Sequence, residues 1–260
     1  MKGERLELEI EDGVARLWLS RPDVRNAFDN RMVKELRAVL DDLTASDSVR
    51  VVVLGGRGRV FSAGADLEWM KAVAAFGREE NVREARELAD LFFALSRSPK
   101  PVVARVQGAA LGGGAGLVAA GDIAVAAEGT RFGFTEVRLG LIPAVISPYV
   151  LGKIGESAAR ELFLTGERFG AAKAQEIGLV HAVVPEADLD AVVDARVHEL
   201  LQAGPQAIAA AKALLREVAG RRAEDVRQET VDRIAAVRAS PEGQEGLRAF
   251  LEKRTPDWTR

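Results

Sequence analysis

Two glycine-rich stretches carry the residues whose types and spacing could do chemistry. One is Phe61-Ser62-Ala63-Gly64-Ala65-Asp66-Leu67 and the other Leu111-Gly112-Gly113-Gly114-Ala115-Gly116-Leu117. Each follows an apolar run that reads as a strand and leads toward a helix. At such junctions backbone N–H groups lack intrahelical partners, and small residues let a ligand come close to the backbone. Two loops of this kind facing each other could each give one N–H to a developing oxyanion. Read singly, they are equally well tight turns. Competing motifs fail. The second loop does not fit G-x-G-x-x-G, Gly152-Lys153 is followed by Ile154 and so is no P-loop, and no serine sits in a G-x-S-x-G elbow.

Glu136 is the acidic residue to single out. It lies between a β-like stretch, Arg131 to Thr135, and the apolar turn Leu139 to Ile146. A carboxyl among apolar neighbours can have a raised pKa and serve as an acid or base; the same position also suits a surface or salt-bridged glutamate. Arg138 could pair with it, or could meet an anionic substrate. Of the two histidines, His181 lies in a strand-like stretch and reads as structural, and His198 lies on a helix and reads as exposed.

The elements that must position these residues alternate between strand and helix. Leu6 to Ile10 alternates as a half-buried strand, Asp12-Gly13 signals a hairpin, and Val14 to Leu19 is the partner strand. Asp29 or Asn30 caps a helix to about Ser46, with Met32, Val33, Leu36, Val39, Leu40 and Leu43 on one face. Val51 to Leu54 reads as a buried parallel strand, residues 78–97 as a charged helix ending before Pro99, and Val102 to Val106 as a strand. Gly108 to Gly116 reads as a turn and Leu117 to Ala120 as the start of a helix. Ile123 to Ala126, 131–135 and 179–184 are further strands. From about Gln202 only helices follow: Pro205 to about Ala219, Ala223 to Arg238, and one from Ser240-Pro241 that ends near Pro256. This is an α/β order, divided into a core over 1–200 and a helical region over 201–260.

Composition removes several functions. With no cysteine there is no disulfide, thiolate metal site or cysteine nucleophile, and two histidines leave no histidine-rich metal centre. A net charge of −3 gives no footprint for nucleic acid or anionic membrane. At 48% apolar and 29% charged residues, a packed core is expected. Met1-Lys2-Gly3-Glu4-Arg5 opens no apolar signal segment, and no run approaches the length of a membrane span. The expectation is a soluble cytoplasmic protein.

Together these segments resemble the crotonase (enoyl-CoA hydratase/isomerase) family. The match runs from Arg21-Pro22-Asp23-Val24-Arg25-Asn26-Ala27-Phe28, through both glycine loops, to Phe250-Leu251-Glu252-Lys253-Arg254-Thr255-Pro256. The resemblance implies a spiral of ββα units with C-terminal helices that build a trimer, often paired into a hexamer. It implies that the N–H groups of Ala65 and Gly113 hold a thioester oxygen. Loops around Arg25, Asn26 and Ala27, and from Ala63 through Asp66 to Leu67, would hold a bent coenzyme A. Phe250 and Lys253 would line the acyl pocket or touch the coenzyme phosphates, from this chain or a neighbour. Coenzyme A is then part of the substrate, and no metal or redox cofactor is implied.

The family's hydratases carry two glutamates. The second falls at Glu136; the first falls at Gly116, which has no side chain. Ala63 to Met70, Gly116-Leu117 and Thr135 to Tyr149 look like bacterial members assigned as methylglutaconyl-CoA hydratases of leucine breakdown or isohexenylglutaconyl-CoA hydratases of terpenoid breakdown. The expectation is water addition to a branched or carboxylated 2-enoyl-CoA, with Gly116 leaving room for the branch. The alternatives are an isomerase that shuttles one proton on Glu136, and a non-catalytic acyl-CoA-binding subunit.

Overall fold

A computed structural model describes residues 3–259; Met1 and Lys2, part of the N-terminal stretch read above, and Arg260 lie outside the described residues. The chain opens with β1 (Leu6–Glu11) and β2 (Val14–Leu19), then α1 (Asn30–Ala45) and β3 (Val51–Gly56). Next come α2 (Leu67–Ala74), α3 (Arg78–Arg97), β4 (Val102–Val106), β5 (Ala109–Leu111) and α4 (Gly113–Ala120). They are followed by β6 (Ile123–Ala127), β7 (Arg131–Gly133), α5 (Ser147–Thr165), β8 (Arg168–Gly170), α6 (Ala171–Glu176) and β9 (Ala182–Val184). Four helices complete the described chain: α7 (Leu189–Gln202), α8 (Pro205–Val218), α9 (Ala223–Ala239) and α10 (Pro241–Glu252).

Six strands form one sheet in the order β1-β2-β3-β4-β6-β9, and β5, β7 and β8 form a second. In the first, β1 and β2 make the expected hairpin around Asp12 and Gly13, both at positive φ. The other neighbours pair in parallel. Every residue of β3 is buried, as its unbroken apolar run requires of a central parallel strand. One face of the sheet packs Val14, Val51, Val53, Val103 and Val125 against Leu189, Val193 and Val197 of α7. The other carries the larger core, with α1, α3 and α4 against it. The Asp29 side chain accepts from Met32 N at 2.7 Å and caps α1, whose predicted apolar face is buried.

The stretch Gly108 to Gly116, expected to be a turn, is instead a short strand and the first turn of α4. Glycine costs about 1 kcal/mol in a helix relative to alanine, but tertiary packing demands it here. A Cβ built on Gly113 would lie 2.7 Å from the Phe28 ring, and one on Gly114 2.8 Å from Ser62 Cβ.

Because β2, β3, β4 and β6 run parallel, their C-terminal ends share one edge, where open α/β sheets bind ligands. The last three helices are tied to the opposite edge. Lys212 of α8 donates to Asp122 Oδ2 and to Lys100 O, just before β6 and β4. Arg50, just before β3, donates to Ala203 O and to Trp258 O. No helix of the described residues is long and apolar enough to cross a membrane.

Candidate active site

The loop after β3 is held on both sides. Ser62 N donates to Ala109 O at 3.0 Å and Ser62 O accepts from Leu111 N at 3.0 Å, which lays the loop along β5. On its other side Phe28 N donates to Gly64 O at 2.7 Å, and Asp66 N to Phe28 O at 2.8 Å. Ala63 N donates to Arg25 O, and Gly64 N to Ser62 Oγ. Of the five N–H groups from Ser62 to Asp66, four are thus taken. Among the described residues, no hydrogen bond takes up that of Ala65, and Ala65 is exposed.

The second loop supplies a similar group. Leu111 N and Gly112 N are used, the latter to Gly133 O, and the first bond inside α4 is Gly116 N to Gly112 O. Among the described residues no hydrogen bond takes up the N–H of Gly113, as the first turn of a helix leaves it. The two loops touch: Gly64, at φ +91°, comes so near that a Cβ there would lie 2.9 Å from Leu111 O and 3.9 Å from Gly112 Cα. Ala65 and Gly113, expected to act together, therefore sit on adjoining loops, each with an N–H free to receive an oxygen.

Glu136 begins a 3-10 turn, Glu136–Leu139, that follows β7. Its carboxyl stands against α4's first turn, 3.2 Å from a Cβ built on Gly112. Oε2 is buried and has no hydrogen-bond partner among the described residues. Burial pushes the Glu136 carboxyl above the ordinary glutamate pKa. Arg138 is not its partner: it is exposed, and its Nε donates to Thr165 O. A carboxyl of raised pKa with one buried oxygen unbonded, against the loop that bears the Gly113 N–H, is suited to move a proton on a bound carbonyl compound.

Three of the predicted residues are buried. Asp66 does not present its carboxylate to a ligand. It accepts from Glu68 N at 2.8 Å as the cap of α2 and from Arg21 Nη2 at 2.9 Å. Burial opposes its charge, yet these donors win and hold it below the ordinary aspartate pKa. Gly116 does not open space for a branch, since a Cβ there would lie 2.3 Å from Ile146 Cγ2 and 3.1 Å from Phe92 Cε1. Ala27 is buried, at 6% exposure, so its side chain is packing. Its carbonyl accepts from Arg21 Nη1.

The remaining predicted residues are placed as follows. Leu67, 74% exposed, leads α2 away from Ala65, and Ala63 is half-buried between Arg25 and Gly64. Arg25 is exposed, with no ion pair among the described residues. Phe250 and Lys253 are not brought to this site by their own chain. They end α10, in the helical layer at the sheet's opposite edge, and Phe250 is 82% exposed.

Asn26 was expected only as part of a coenzyme-binding loop, and its supporting role was missed. Asn26 is fully buried; its Nδ2 donates to Arg57 O and Val60 O, and its Oδ1 accepts from Arg21 N. It thereby staples the Arg21–Phe28 segment to the loop after β3, on which Arg59 is exposed. The available signal was an asparagine between Arg25 and Ala27, a residue type that tolerates the positive φ of +53° found there. Among the described residues, no group of three or more His, Asp or Glu is arranged to hold a metal.

Two backbone N–H groups without partners among the described residues, on adjoining loops, with a carboxyl of raised pKa against one of those loops, make a candidate acid–base site of the oxyanion-stabilising kind. Comparison with known proteins agrees. The family model for enoyl-CoA hydratase/isomerase matches residues 9–260. A crystal structure of an enoyl-CoA hydratase from Shewanella pealeana superposes with a TM-score of 0.95 at 44% identity, covering 98% of this chain and 96% of that one. A Thermus thermophilus protein, provisionally assigned as an enoyl-CoA hydratase, is 40% identical over 96% of this chain and 99% of its own length. A trans-2-decenoyl-[acyl-carrier-protein] isomerase of Streptococcus mutans is 32% identical over 96% of each chain. This chain belongs to the enoyl-CoA hydratase/isomerase, or crotonase, family.

Proposed function

We propose that this chain adds water across the double bond of a 2-enoyl-CoA whose acyl group carries a branch or carboxylate, such as 3-methylglutaconyl-CoA. The observation that carries the reading is the Glu136 carboxyl, whose buried Oε2 has no partner among the described residues, against the loop that bears the Gly113 N–H and adjoins the loop of Ala65. The thioester oxygen accepts from both N–H groups. As water attacks C3, electron density moves to that oxygen and the two donors stabilise it, which lowers the barrier. Protonated Glu136 gives its proton to C2, and its other oxygen takes the proton lost by water, so the carboxyl is regenerated and one water is added. The reaction changes no oxidation state overall and needs no redox cofactor or metal. A carboxylate on the substrate can hold the attacking water near C3, a task for which the site itself has no second carboxyl.

Exposed Arg25 and Arg59 are the cations for the coenzyme phosphates. A homotrimer or a dimer of trimers in the cytoplasm completes the reading. It is supported by the uncovered apolar side chains of α10, Phe250 at 82% and Leu251 at 78% exposure, which another copy would bury. Faster loss of enoyl absorbance with 3-methylglutaconyl-CoA than with crotonyl-CoA, with a hydroxylated product, is the expected result. Faster turnover of crotonyl-CoA would refute the substrate class.

The lone carboxyl favours one other reading, isomerisation, in which Glu136 takes a proton from one carbon and returns it to another. Solvent deuterium in the product without a new hydroxyl would select it.

A further inference from the structure

Gly112, the N-cap of the helix that carries the Gly113 N–H, and Gly116 within that helix are two positions without side chains. Gly116 N donates to Gly112 O at 3.0 Å, so the two residues stand one turn apart, about 5.4 Å along the axis. The Glu136 carboxyl covers the first: its Oε1 would be 3.2 Å from a Cβ on Gly112. Hydrocarbon covers the second. A Cβ on Gly116 would lie 2.3 Å from Ile146 Cγ2, 3.0 Å from Ile146 Cβ and 3.1 Å from Phe92 Cε1. Neither neighbour can simply swing aside. Ile146 is 3% exposed, and the fully buried Phe92 ring packs with Tyr149 at a centroid distance of 6.0 Å. A polar group on this second turn would stand next to the Glu136 carboxyl, where two such groups could hold one water between them. Ile146 puts two methyl-bearing branches there instead.

We infer that Ile146 is a specificity-determining residue: by filling the space over Gly116 it denies the site a second water-holding group, so that water addition depends on a polar group carried by the substrate. The inference rests on the hydratase reading of Glu136 given above. Ile146 takes no proton and touches no reacting atom; it is a positioning residue that acts through the space it removes. Gly116 and Ile146 are then coupled. A side chain at 116 alone overpacks the core, truncation of Ile146 alone leaves a dry apolar cavity, and the two changes together compensate.

The experiment is a four-cornered comparison of wild type, Gly116→Glu, Ile146→Ala and the double variant. Melting temperature, kcat/KM for 3-methylglutaconyl-CoA and for crotonyl-CoA, and the pH profile are read for each. Gly116→Glu alone should melt lower by roughly 3–10 °C, and the double variant should melt higher than the two single losses predict. The preference for the carboxylated substrate over crotonyl-CoA should fall at least tenfold in the double variant relative to Ile146→Ala. Its alkaline limb should move up, because a second carboxyl beside Glu136 disfavours the second negative charge. A Gly116→Glu protein that melts like wild type would overturn the inference, as would a double variant with unchanged preference and pH profile. If the double variant does not fold, Gly116→Ala with Ile146→Ala gives the same melting cycle; strictly additive losses there would also overturn it. A wild type that hydrates neither substrate refutes the hydratase reading, whereas a wild type that hydrates both with no preference refutes the role of Ile146 alone.

Discussion

Arg21 of the segment before α1 and Asp66 at the head of α2 are joined by an Nη2–Oδ2 contact of 2.9 Å, and this pair fixes the loop that exposes the Ala65 N–H. The same guanidinium donates to Ala27 O at 2.7 Å and lies 3.3 Å from Asp29 Oδ2, the cap of α1. One arginine thus connects two helix N-termini and the backbone on one side of the site.

Asp66→Ala removes both the cap of α2 and the partner of Arg21. It should cost about 2 kcal/mol, the upper range for a lost cap, and lower kcat because Ala65 is no longer held. Asp66→Asn keeps a capping oxygen and loses only the charge, so it should cost less. The folded-state pKa of Asp66 is depressed, so its charge stabilises above the unfolded pKa and that contribution is lost as pH falls through the folded pKa. The gap between wild type and Asp66→Asn in urea melts should therefore close toward acid pH. A gap that widens on acidification would contradict the pairing.

Glu136 has the opposite sign. Burial raises its folded pKa, so the folded chain binds that proton more tightly than the unfolded chain does. Its favourable contribution is complete below the unfolded pKa and is lost as pH rises through the folded pKa. Glu136→Gln does not titrate. Its melting temperature should match wild type at acid pH and exceed it progressively above the ordinary glutamate range. Equal curves at all pH values would mean that the carboxyl is not desolvated.

Arg25→Ala and Arg59→Ala should each raise KM for a coenzyme A thioester by roughly three- to tenfold with little change in kcat, as expected for exposed charge contacts to phosphate. The effect should shrink as salt is added. A drop in kcat at constant KM would place these residues elsewhere in the mechanism.

Lys212→Ala leaves Asp122 without its cation and Lys100 O without its donor. Lys212 is buried and Asp122 half-buried, and losing a charge-assisted hydrogen bond of this kind costs about 1.5–3 kcal/mol. The last three helices should become accessible to protease before the sheet does, because this contact and Arg50 tie them to it. Proteolysis no faster than in wild type would mean that packing alone holds them.

The hairpin at Asp12-Gly13, the face of α1 and the helices after Pro205 were legible in the sequence, since each is announced by a local period or cap. So were both glycine loops and Glu136. α5 was not, because Gly155, at φ +72°, divides it into two shorter pieces. α7 buries only the narrow stripe Leu189, Val193 and Val197. What the sequence hid about the site lies in contacts between distant segments. Nothing local to Gly116 announces that Ile146 closes it, nothing local to Asp66 announces Arg21, and Arg138 sits beside Glu136 in the chain yet bonds Thr165 O.

The most direct test is hydration in oxygen-18 water by wild type and Glu136→Gln, with 3-methylglutaconyl-CoA as substrate and product read by mass. A product hydroxyl that carries the heavy oxygen is expected, formed at least about a hundredfold more slowly by the folded variant, the scale of general acid–base catalysis. A variant as fast as wild type, or a wild type that forms no labelled product while binding the thioester, would contradict it.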